Sequence, residues 1–184
     1  MAKWVTRAQW GARPPKSVSH NVSGSGGVAI HHVGAGRYVN ADHNQCVSLV
    51  RTIQNMHMNN TSEGYVDIAY SLVVCHHGYI FEGRSKANDP RVRPGSNGTS
   101  DANYKAFSVL TLCGLGDGTP PTSLVVTAAE AVKWLRDKAR AGTRVSGHRD
   151  WYSTSCPGNM YAKVGTIKSL ADRGTFDPVD RDDD

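Results

Sequence analysis

Five short runs, most of them rich in β-branched or aromatic residues, alternate along this chain with three stretches of helical periodicity. That alternation constrains the fold more than any other feature. The runs are Val28–Val33, Tyr70–Cys75, Tyr79–Glu82, Phe107–Cys113 and Arg144–Ser146, each short enough to be one strand. His76-His77-Gly78 separates the second run from the third and predicts a tight hairpin turn. Helical spacing follows Asn40, the expected N-cap, as far as about Asn59, with Cys46, Leu49, Val50, Ile53 and His57 along one face. A second helix is expected from a capping box of Thr127 and Glu130, with a stripe of Ala131, Leu135 and Ala139 and a C-cap at Gly142. A third should follow Cys156-Pro157-Gly158, with Met160, Val164, Ile167 and Ala171 at helical spacing. Strands interleaved with helices, plus one hairpin, predict an α/β fold with a central mixed β-sheet flanked by about three helices. Arg84–Lys105, rich in Pro, Gly, Asn and Ser, reads as a long loop of the kind that carries function.

The length, 184 residues, fits one domain, which we expect over 1–175 with an acidic tail or linker start over 176–184. At 39% hydrophobic and 20% charged residues, the chain is too apolar for a disordered one. It contains no apolar run long enough to span a bilayer. Its first residues, MAKWVTRAQWGARPPK, lack the apolar segment of a signal peptide, so the chain is expected to start life in the cytoplasm. The net charge of +5 is unevenly spread. Residues 176–184 hold five Asp and one Arg, net −4, which leaves +9 on the remainder. Such a body favours anionic partners, among them anionic cell-wall polymers. Nucleic acid is disfavoured, because Lys and Arg are scattered singly and never form a run of five.

Four cysteines, Cys46, Cys75, Cys113 and Cys156, are widely spaced with no CxxC pair. Three lie in apolar stretches and read as buried small hydrophobes, and no disulfide framework is expected. Cys156 is different, because it sits in a polar loop eight residues after His148. A connection of that length can return so that imidazole and thiolate meet, and both are good zinc ligands. A third ligand is available in Ile30-His31-His32-Val33, where strand alternation lets only one of the two imidazoles face the metal. Three protein ligands leave a fourth tetrahedral position open, as catalytic sites do. His76 and His77 are expected as an exposed pair in the hairpin turn. His43 and His20 are expected on the surface, and His57 on the inward side of its helix.

These residues carry a resemblance. The chain resembles the zinc amidases of the peptidoglycan recognition protein family, N-acetylmuramoyl-L-alanine amidases of the second type, and among them the amidase domains of phage endolysins. The likeness covers roughly 4–172 and rests on ordered motifs: Arg7 to Pro14; Ile30-His31-His32; Gln54 with His57-Met58; Asp67-Ile68-Ala69-Tyr70; Gly78 to Arg84; and His148 to Gly158. It implies a single domain of that family's fold with His31, His148 and Cys156 as ligands of Zn2+, and so selects His31 over His32. It further implies catalytic roles for Tyr70 and Thr154, and substrate contacts for His32, His57 and Arg84. The implied substrate is bacterial peptidoglycan, cut between the lactyl group of N-acetylmuramic acid and L-alanine of the stem peptide. An endolysin would wait as a monomer in the host cytoplasm until released to the wall. Non-catalytic muropeptide-binding members typically lack the ligand cysteine, which this chain retains at Cys156. The cysteine pair that animal members often carry soon after the His-His pair is missing, and Cys113 stands before Gly114 where the intracellular recycling amidases have an acidic residue.

Overall fold

A computed structural model describes residues 1–39 and 42–174. Its six strands are β1 (Lys3–Val5), β2 (Val28–Gly34), β3 (Leu72–Cys75), β4 (Tyr79–Glu82), β5 (Phe107–Gly114) and β6 (Val145–Gly147), in one sheet ordered β1-β4-β3-β5-β2-β6. Among the described strands the β3–β4 hairpin pairs antiparallel and the other pairs are parallel, so the sheet is mixed as expected. β1 was not foreseen. Three residues are too few to show alternation, and the strand exists because it pairs with β4, Trp4 beside Ile80.

Period two divides the apolar residues between two cores. Val28 and Ile30 of β2, Leu72 and Val74 of β3, and Phe107 and Val109 of β5 pack beneath α3 (Thr122–Ala139) and α4 (Val164–Arg173). Val73, Cys75, Leu110 and Leu112 face the other way, against Cys46, Val50 and Ile53 of α1 (His43–Asn59). Every residue of β5 is buried, as a strand covered on both faces requires. By the same alternation His31 belongs to the α1 face, with Val33, and His32 to the opposite face.

The helix boundaries correct several expectations. α1 is capped by Asp42, whose carboxylate accepts the Asn44 N–H at 2.8 Å. The expected cap Asn40 lies outside the described residues, as do residue 175 and the acidic tail 176–184. α3 starts at Thr122, directly after Pro120-Pro121, because proline presets the backbone for a helix start. Thr127 is therefore one turn inside, donating its hydroxyl to the Ser123 carbonyl at 2.7 Å, and it forms no capping box with Glu130. Instead, the Ala2 N–H donates to Glu130, tying the N-terminus to α3. The helix ends on Arg140 in the left-handed region (φ 58°), two residues before the expected cap. Gly142 answers a different need: a Cβ there would sit 2.5 Å from the Ser25 carbonyl oxygen. A 3-10 turn, Gly158–Lys163, precedes α4. The expected loop Arg84–Lys105 holds one short helix, α2 (Ser100–Lys105), capped by Thr99. No described helix is long and apolar enough to cross a membrane.

Candidate metal centre

β6 runs parallel to β2, with Gly147 beside Ile30, and this register delivers His148 next to His31. The chain then turns back on itself. The N–H groups of Trp151 and Tyr152 donate to the His148 carbonyl at 2.9 and 3.1 Å, and the Arg149 N–H donates to the Cys156 carbonyl at 2.9 Å. This folded-back connection is what the eight-residue spacing required. His31 Nδ1 lies 3.7 Å from Cys156 Sγ, and the His31 and His148 rings are 4.5 Å apart. One ligand atom from each of His31, His148 and Cys156 falls within 4.8 Å of the other two.

The donor chemistry fits zinc. Tetrahedral N–Zn–S geometry needs donors about 3.6 Å apart, close to the His31–Cys156 distance. His148 Nε2 is buried with no hydrogen-bond partner among the described residues, as a nitrogen reserved for a cation would be. Burial, with His148 beside it, pushes His31 down to about 3, so its imidazole is neutral at physiological pH. His148 is lowered too, mainly by burial. Burial pushes the Cys156 thiol up to about 11, against the pull of the His32 backbone and Arg149. A divalent ion at this point would reverse that balance and hold the thiolate.

Tyr70 meets the His31 ring edge-on at 5.3 Å, and its phenol is pushed up, chiefly by burial. Thr154 accepts the Cys156 N–H at 3.2 Å, so its hydroxyl shapes the ligand loop. His57 accepts the Ala69 N–H at Nδ1, 3.0 Å away, and its ring lies 5.7 Å from that of Tyr70. Burial and Arg84 lower His57 to about 4. Arg84 itself braces the chain, donating to the carbonyls of Ile68 at 2.8 Å and Arg93 at 3.1 Å. It lines a cavity of about 200 Å³ with Arg7, Asp67 and Lys86, which none of the three metal-cluster residues lines. His32 is buried against Gly158, where a Cβ would come within 2.7 Å of its ring, and it stands outside the metal cluster.

Sequence reasoning missed Asn97. This fully buried side chain places Oδ1 2.9 Å from His31 Nε2 and donates through Nδ2 to the Ala106 carbonyl at 2.8 Å. The amide therefore receives the Nε2 proton, which leaves the Nδ1 lone pair facing Cys156 Sγ. Its only sequence signal was membership in the long polar segment after Arg84.

No protein-family model matches the chain. It is 30% identical over 171 residues to peptidoglycan-recognition protein SC2 of Drosophila simulans, covering 88% of this chain and 84% of that one. The chain belongs to the peptidoglycan-recognition protein family. Within that family it is also 29% identical, over 167 residues, to an N-acetylmuramoyl-L-alanine amidase of Sus scrofa, where the match spans 83% of this chain but only 25% of the pig protein. The solved structure of wild-type Drosophila PGRP-LB superposes with a TM-score of 0.77 at 27% identity, covering 90% of this chain and 94% of that one. A tyrosine-to-phenylalanine variant of PGRP-LB, solved in complex with tracheal cytotoxin, superposes with a TM-score of 0.75 at 26% identity, covering 89% and 93%. The six-stranded mixed sheet with helices on both faces is thus the peptidoglycan-recognition fold.

Proposed function

We propose that this chain is a zinc-dependent N-acetylmuramoyl-L-alanine amidase that cuts peptidoglycan between the lactyl group of N-acetylmuramic acid and the first alanine of the stem peptide. The observation that carries the reading is the convergence of two neutral imidazoles and one thiol, His31, His148 and Cys156, on one point. With three protein donors among the described residues, the set suits catalysis better than a closed structural site. The chemistry that zinc supplies when bound there is an acidified water and a polarised scissile carbonyl.

The protein's own groups complete the site. Asn97 fixes the His31 tautomer and ring orientation. Tyr70, kept protonated by burial, is a hydrogen-bond donor for the carbonyl oxygen as negative charge develops on it. Thr154 accepts from the Cys156 backbone and retains its own proton to offer that same oxygen. His57 stays neutral and holds the Asp67–Tyr70 segment through Ala69, which positions the phenol. We assign His32 and Arg84 to the binding of the muropeptide.

The relatives' names supply the substrate class: an amidase acting on muramoyl-alanine, and PGRP-LB in complex with tracheal cytotoxin. A lytic setting, as the wall-degrading enzyme of a phage acting as a monomer, completes the proposal, and the +9 body suits adhesion to anionic wall polymers. Digestion of purified wall tests it. New alanine amines, released only with zinc present, are expected. Wall binding without peptide release would instead make the chain a recognition module.

A further inference from the structure

A second cluster of metal-binding side chains lies at the far end of the α1 face, sharing no residue with the first. It is built from two short spacings. His43 and Cys46 stand one turn apart at the start of α1, and Cys75 and His77 flank the entry to the β3–β4 turn. The turn carries Gly78 at φ 77°, with its N–H on the Cys75 carbonyl at 3.2 Å, and this conformation lifts His77 back over the strand end. α1 packs its Cys46 and Val50 against Val73 and Cys75, which brings the two pairs together.

We infer that His43, Cys46, Cys75 and His77 form a second zinc site, structural rather than catalytic, that clamps the start of α1 to the β3–β4 hairpin. His43, Cys75 and His77 each offer a ligand atom within 4.8 Å of the other two. Cys46 Sγ lies 3.5 Å from His77 Nδ1, and Cys75 Sγ lies 3.9 Å from His43 Nδ1. A tetrahedral zinc with sulfur at about 2.3 Å and nitrogen at about 2.05 Å has N···S edges of about 3.6 Å, and both pairs fall near that value. Cys46 stands beside this group of three and reaches it through His77, which makes it the candidate fourth donor.

The chemistry of the pair agrees. The donor set is two imidazoles and two thiols, the combination of borderline and soft ligands that zinc takes in structural sites. Two thiolates cancel the charge of a divalent ion, and binding releases the thiol protons to solvent. Tyr79 stacks on His43 with ring centroids 3.6 Å apart, and Phe81 lies 5.6 Å away, walling the site on the hairpin side. With Cys46 as fourth donor the site would have no open position, which would set it apart from the three-donor centre. Neither the pairing of buried cysteines across α1 and β3 nor the inward turn of His43 and His77 was readable in the sequence, where both imidazoles had been expected at the surface.

Zinc counted by native mass spectrometry on the folded chain, after dialysis against zinc-free buffer, tests the inference. Wild type should hold two zinc ions. A His148→Ala/Cys156→Ser variant, which destroys the first site, should keep one, and adding His77→Ala should remove it. If that triple variant does not fold, Cys46→Ser in place of His77→Ala carries the same expectation. One zinc in wild type, retained on loss of His148 and Cys156 but lost in His77→Ala, would uphold this site while contradicting the catalytic one. No zinc in the His148→Ala/Cys156→Ser variant would overturn the inference. So would an intact mass two hydrogens short, the mark of a Cys46–Cys75 disulfide.

Discussion

Asn97 and His31 form a buried pair in which the amide oxygen sits 2.9 Å from the imidazole Nε2, opposite the nitrogen that faces Cys156. The side-chain amide is fixed from the rear by the Ala106 carbonyl, and the Asn97 backbone N–H donates to the Asn103 side chain at 2.9 Å. Partners of this kind typically contribute 10–100-fold to metal affinity. Asn97→Leu should therefore weaken zinc binding by about that factor, measured by chelator competition, with the circular dichroism spectrum preserved. An unchanged affinity would remove Asn97 from the site.

Tyr70 is expected to act on the reaction more than on binding. Its ring touches His31, and its phenol remains protonated across the working pH range. Tyr70→Phe keeps the ring and removes only the donor, so turnover should fall by about 10²-fold while wall binding holds within a factor of a few. Equal losses in rate and binding would assign Tyr70 to substrate contact.

The pH dependence of stability should carry the mark of His57. Its folded value is lowered to about 4 from an ordinary 6.5, so the unfolded chain binds more protons between those values. The stability that this histidine contributes is complete above about pH 6.5 and is lost as pH falls towards 4. His57→Gln, which can still accept the Ala69 N–H, should flatten the wild-type decline across that window in denaturant titrations at stepped pH. Parallel curves for the two proteins would contradict the assignment.

Gly27 sets the entry of β2 into the sheet. It adopts φ 79°, and a Cβ there would stand 1.9 Å from the Arg144 carbonyl oxygen that accepts the Val28 N–H. Gly27→Ala should cost more than the about 1–3 kcal/mol of the backbone strain alone, because β6 must also move. Since β6 delivers His148, zinc affinity should fall together with the denaturation midpoint.

The central sheet was legible because its inner strands are short apolar runs, mostly rich in β-branched and aromatic residues, bounded by turn residues. Five strands were read within a residue or two of where they form. β1 escaped because three residues at an edge carry no period, and α2 escaped because a six-residue helix in a Pro- and Gly-rich segment has too few turns to show one. The start of α3 was misread because Thr127 and Glu130 mimic a capping box, although Pro120-Pro121 determines where the helix begins. At the site, the spacing from His148 to Cys156 was informative because both residues lie on one returning loop. The choice between His31 and His32 was not, since alternation separates their faces without saying which one the loop will cover. Asn97 and the His43–Cys46–Cys75–His77 cluster depend on tertiary packing between distant segments, which leaves no local pattern.

The most direct test of the account is the end-group chemistry of purified peptidoglycan digested by the chain before and after zinc removal. The account predicts new alanine amines with zinc, no release after chelation, and recovery when zinc is restored, with Cys156→Ser inactive throughout. Reducing sugar ends in place of amines, or full release by the metal-free protein, would contradict it.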